Sequence, residues 1–126
     1  MLELVIHHQM SALLVALLVL SAAACVKQYK PHPGAINIAD SAAYDTLRVA
    51  EAAIDAARTR NQQHPFPADV KDALNRAIAV YNVAREAWLT YRGALATNTP
   101  SDPYYQQLTK NLTDLTVALE SLKEGR

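Results

Sequence analysis

Three stretches of the chain carry apolar residues at alternating steps of four and three, the spacing that lines one side of an α-helix. The first runs through Ala43, Leu47, Ala50, Ile54 and Ala57. The second is the longest, with Val70, Leu74, Ala77, Tyr81, Ala84, Trp88, Tyr91 and Leu95 in register, and Ala73, Ile78, Val80 and Ala87 widen its stripe. A stripe of that width suits a helix that touches two neighbours. The third passes through Tyr105, Leu108, Leu112, Leu115, Leu119 and Leu122. Predicted helices therefore cover about 38–61, 67–96 and 102–124.

The breaks between these stretches carry their own chemistry. Asn37, Asp40 or Ser41 can cap the first helix. In Asn61–Pro67, His64 and Phe66 each precede a proline, which pushes them away from helical angles, and Pro67 fits the first turn of the second helix. Gly93 and then Asn98-Thr99-Pro100 close that helix, after which Asp102-Pro103 reads as a cap followed by proline at the first helical position. Long helices joined by short turns must alternate in direction. The expected fold is all-α, a three-helix up-down-up antiparallel bundle over residues 37–126. Three seams that satisfy one another within one chain predict a monomer.

A different pattern occupies the start. Met10 to Ala24 (MSALLVALLVLSAAA) carries no charge and ends in three alanines directly before Cys25, the chain's one cysteine. Its uninterrupted apolar stretch is about 15 residues, shorter than the roughly 20 that span a bilayer as a helix. Small residues at its exit suit a signal peptidase. The motif Leu20-Ser21-Ala22-Ala23-Ala24-Cys25 resembles the lipobox of bacterial lipoproteins. That resemblance implies cleavage before Cys25, diacylglycerol on its sulfur and acylation of the new amino terminus. Residues 1–24 are then a signal peptide and residues 25–36 a lipidated tether, read as extended because two prolines and a glycine interrupt it. It also implies an envelope location, on the cell membrane or outer membrane, facing the periplasm or the exterior, with Val26 favouring the outer membrane. An uncleaved anchor, a soluble protein, and a translation start at Met10 are the alternatives the same residues leave open.

Composition narrows the chemistry. Twelve basic residues balance twelve acidic ones in 126, whereas a nucleic-acid partner calls for clustered positive charge. One cysteine makes no internal disulfide, and only two histidines follow residue 8, which argues against a Cys/His metal cage. No glycine-rich phosphate loop, nucleophile elbow, Cys-x-x-Cys or haem motif occurs, so no cofactor or metal is expected.

Two clusters remain as candidate sites. Glu51 and Asp55 share a helix face and would serve as an acid/base pair in an enzyme, but Arg48 and Arg58 flank them, the pattern of a solvated helix side. Tyr81, Arg85, Trp88 and Arg92 share another face, an aromatic and guanidinium surface suited to a glycan, a peptide or an acidic ligand. The competing reading places Tyr81 and Trp88 in the core with the arginine stems over them and their heads in water. His32 and His64 sit beside prolines as loop residues. Asn111-Leu112-Thr113 matches the glycosylation acceptor pattern, a coincidence in the bacterial lipoprotein that the lipobox resemblance implies. The expected role is a membrane-anchored envelope lipoprotein with a non-catalytic binding or structural module, partnered by the membrane and by another envelope protein or a glycan. An envelope-stress, immunity or phage-related lipoprotein acting on a membrane partner is the alternative.

Overall fold

A computed structural model of the protein describes residues 30–124. The expected signal peptide (1–24) and the lipidation position Cys25 lie outside the described residues. From Pro31 onward the chain forms one unit, an all-helical bundle of α1 (Ile38–Gln63), α2 (Ala68–Ala96) and α3 (Asp102–Glu124). Among the described residues there is no strand, and no helix is long and apolar enough to cross a membrane.

Each helix boundary has a local cause. Asn37 caps α1, its side-chain oxygen accepting from the Asp40 N–H at 2.8 Å; of the three expected capping residues, it is the one in that position. In the following turn the Asn61 side chain accepts from the Phe66 N–H at 2.8 Å, tying the chain back on itself before α2. Pro67 stands just ahead of α2, and its carbonyl accepts from the Val70 and Lys71 N–H groups. α2 ends in a Schellman arrangement. Asn98 takes a left-handed φ of 55°, while the Thr99 N–H donates to Ala94 and the Asn98 N–H to Leu95, satisfying carbonyls that the helix end leaves open. Gly93, expected to help close α2, lies inside it with no neighbour near the position its Cβ would take. α3 starts at Asp102 itself, the Ser101 carbonyl accepting from Tyr105, so the cap falls one residue earlier than the Asp-Pro pair suggested.

The core is layered along the bundle. Ile54 and Ala57 of α1 cluster with Val70, Leu74 and Ala77 of α2 and with Ala118 and Leu122 of α3. Leu47 and Ala50 cluster with Ala84 and Leu115. Ala43 clusters with Tyr91 and Leu108. All five residues of the first seam are buried, as are Val70, Leu74, Ala77, Ala84 and Tyr91 of the second. On α3 the buried line runs Leu108, Asn111, Leu115, Ala118 and Leu122. Tyr105 is exposed, and Leu112 and Leu119 are half-buried. α2 packs on both neighbours, whereas α1 and α3 touch each other least, which accounts for the wide stripe on α2. Asn111 accepts from Gln107 at 3.2 Å within this core line.

Candidate functional site

Positions 37, 40, 41 and 44 fall on one face of the first two turns of α1, and positions 88, 91 and 92 fall on one face of α2. The bundle brings these faces together around Asp40, whose carboxylate is 2% exposed. One oxygen, Oδ1, accepts from the Trp88 indole N–H at 2.6 Å. The Nε of Arg92 lies 3.3 Å from the same oxygen, in ion-pair range but not aligned as a hydrogen bond. The other oxygen, Oδ2, accepts from the Ile36 N–H at 2.9 Å. Burying a carboxylate is expensive unless it is paired and hydrogen-bonded, and Asp40 is both. It also lies in the first turn of α1, where the helix dipole favours negative charge.

The groups around it form a connected set. Asn37 donates from its side-chain amide to the Tyr91 hydroxyl at 2.9 Å, joining the cap of α1 to α2. Ser41, fully buried, accepts through Oγ from the His32 N–H at 2.6 Å. Arg92 lies over the Trp88 ring, 5.2 Å from its centroid, and donates through Nη2 to the Gly34 carbonyl at 3.3 Å. The Tyr44 ring stands 5.8 Å from Trp88 and meets the His32 ring edge-on at 4.4 Å. His32 Nε2 lies 3.4 Å from Asp45.

Residues 31–36, expected as part of an extended tether, do not extend. His32-Pro33-Gly34-Ala35 is a tight turn closed by the Ala35 N–H donating to the His32 carbonyl at 3.1 Å. Proline at its second position and glycine at its third, with φ of +84°, match a type II turn. The turn lies against the helices and walls a cleft of about 380 Å³ whose floor is Trp88, Arg92 and Tyr44. The physical reason is the polar face beneath it. Asp40, Ser41 and Arg92 find partners in the turn's backbone that a free tether would leave to water.

The expected surface of Tyr81, Arg85, Trp88 and Arg92 divides in two. Trp88 and Arg92 converge on Asp40, and the Arg92 head, 35% exposed, is held there and at Gly34. Tyr81 and Arg85 belong to the middle of the bundle. Tyr81 borders a small pocket of about 150 Å³ shared with Glu51, Asp55 and Arg58. Burial, with Glu51 adding to it, raises the Tyr81 phenol above its ordinary value. Arg85 is exposed, 3.8 Å from Glu86. Glu51 and Asp55 are each engaged from their own helix, Glu51 by Arg48 at 3.1 Å and Asp55 by Arg58 at 3.4 Å. These are exposed i,i+3 pairs of the kind that flank solvated helices. Among the described residues no group of three or more His, Cys, Asp or Glu is placed to hold a metal.

Asp40 is the residue that sequence reasoning weighed only as a cap. Its local signal was legible, since Asn37 followed three residues later by an acid resembles a capping box. Its partners on α2, 48 and 52 positions away, leave no local mark. Comparison of the chain with protein-family models, curated proteins and solved structures gives no match.

Proposed function

We propose that the chain is a small bacterial cell-envelope lipoprotein, anchored through lipid on Cys25, whose helical domain is a non-catalytic binding module. The observation that carries the binding reading is the cleft at the start of α1. Aromatic faces and a guanidinium line it, with a buried carboxylate beneath, and that carboxylate neutralises Arg92 and is itself saturated by donors. Such a site recognises and holds. The Ser41 hydroxyl in it accepts from the His32 backbone N–H, and Glu51 and Asp55 are paired with arginines at a distance from it. The three helices run up-down-up, a reading supported by the order of the core layers. As the α1 residues fall from Ile54 to Ala43, their α2 partners rise from Val70 to Tyr91 and their α3 partners fall from Leu122 to Leu108.

Lipidation is supported by the Leu20–Cys25 motif and by the double-chain logic of anchoring, since one acyl chain binds a membrane only marginally. The test is Cys25→Ser in the native host. Loss of palmitate labelling together with release from the membrane fraction is expected. A variant that keeps its leader and still sediments with membranes would replace the lipid anchor with an uncleaved one.

A further inference from the structure

Of the eight large apolar side chains exposed among the described residues, four gather at one end of the bundle. Ile36 and Ile38 stand at the start of α1, and Tyr104 and Tyr105 in the first turn of α3. The Asn37 amide on the Tyr91 hydroxyl, and the Tyr91 ring 5.8 Å from that of Tyr105, join those two helix starts at the same end. The other four lie one or two to a helix along the helix lengths, as single surface apolar residues ordinarily do. The opposite end is polar. Gln62, Gln63, His64 and Asp69 are exposed there, and the apolar side chain of that turn, Phe66, packs against the core.

The apolar end is also where the chain enters the domain. The turn His32–Ala35 is docked on α1 through the His32 and Ile36 N–H groups and the His32 ring. Of the twelve-residue tether expected over 25–36, six residues, 25–30, are left between Cys25 and the docked segment. At full extension they reach about 20 Å, about half the reach of a tether that hangs free. We infer that this end of the bundle seats on the lipid surface, with Ile36, Ile38, Tyr104 and Tyr105 entering the headgroup region. The inference rests on the proposed anchor at Cys25, which keeps this end within reach of the bilayer. Isoleucine gains from leaving water, and tyrosine, apolar in body with a polar tip, suits the boundary between acyl chains and water. These side chains add a second hold beside the lipid and orient the bundle with its polar end away from the membrane.

The full lipidated chain, isolated from its host and carrying one polarity-sensitive thiol label, provides the test. Acylation of Cys25 leaves the wild-type chain without a free thiol, since Cys25 is its one cysteine. Ile38→Cys and Gln62→Cys then each take the label at one position, about 36 Å apart along α1. In vesicles of phosphatidylethanolamine and phosphatidylglycerol, the label at position 38 should shift to the blue. It should also lose emission several-fold when the lipid headgroups carry a nitroxide, while the label at position 62 does neither. Ile36→Ser with Tyr104→Ser removes half of the apolar end without entering any core cluster. Added to Ile38→Cys, the pair should leave the melting temperature unchanged, abolish the blue shift and reduce the quenching several-fold. Labels at 38 and 62 that respond alike would overturn the seating. So would a response that the two serine substitutions leave intact, because proximity would then come from the tether alone. A blue shift untouched by the nitroxide would overturn lipid as the occupant and put a second copy there. Sedimentation of the same samples with the vesicles reads the anchor separately. A wild-type chain that takes the label and stays in the supernatant would overturn the anchor and this inference with it, whereas a sedimenting chain whose label at 38 reads as in water would overturn the seating alone.

Discussion

The first turn of α1 and its middle carry the same chemistry in opposite settings. Asp40 is buried and reaches across to α2 and back to the turn before the helix, with an indole, a guanidinium and a backbone N–H around it. Glu51 and Asp55 lie out on the surface and pair within α1, each with an arginine three residues away. Position on the wheel decides which is which. Asp40 is three residues before Ala43, at the head of the buried seam, whereas Glu51 and Asp55 each follow a seam residue by one and so flank it. An acid on the seam must recruit partners from other elements, and once it has them it fixes those elements in place. An acid beside the seam is served by water and by its own helix.

The widest separation between the two regions should appear in stability. Asp40→Ala removes the acceptor of the Trp88 indole and the Ile36 N–H and strips Arg92 of its counter-charge. It should cost about 3 kcal/mol in denaturant unfolding, the lower end for breaking a buried pair because Arg92 keeps some access to water. The arginines of α2 sharpen the same contrast. Arg92→Ala should cost about 1 to 2 kcal/mol through the lost ion pair and its packing on Trp88, while Arg85→Ala should stay within about 0.5 kcal/mol. Equal effects at the two positions would mean that the Arg92 head gains nothing from Asp40. In the middle of α1, Glu51→Gln combined with Asp55→Asn should also change stability by no more than about 0.5 kcal/mol, since exposed i,i+3 pairs contribute little.

The mildest effect concerns Tyr81, which borders the Glu51 pocket. Burial first, and Glu51 second, raise its phenol above 10.0 in the folded chain. The folded state therefore holds that proton more tightly than the unfolded state. Stability is full below pH 10 and falls above it, as the unfolded chain ionises first. Tyr81→Phe should flatten that alkaline decline in a pH series of thermal melts.

Legibility in the sequence followed the range of the interaction. The seams of α1 and α2 were readable because burial repeats with the helical period. Ala43 through Ala57 and Val70 through Ala77 are buried where the period puts them. The third seam was half readable, because a line through Tyr105 and the leucines passes over Ala118 and Asn111, small or polar residues that fill the buried positions between leucines, and begins on an exposed tyrosine. The Glu51 and Asp55 flank was readable too, its partners lying within a turn. What was not readable is the convergence of Asp40, Trp88 and Arg92, since nothing in a local window pairs positions so far apart. Proline and glycine in His32–Ala35 signalled a break, and the same pair builds a type II turn. Whether such a break hangs free or docks depends on the polar face beneath it, which exists only once α1 and α2 are packed.

The claim that Asp40 and Trp88 act as one unit across two helices is tested most directly by a double-mutant cycle of Asp40→Ala and Trp88→Phe, read by chemical denaturation. Trp88→Phe keeps an aromatic ring in place and removes the indole N–H, so the cycle isolates the bond at 2.6 Å. A coupling energy of about 1 kcal/mol or more is predicted, as for residues sharing a buried hydrogen bond. Costs that add to within about 0.3 kcal/mol would contradict it and leave Asp40 as no more than an acid at the start of a helix.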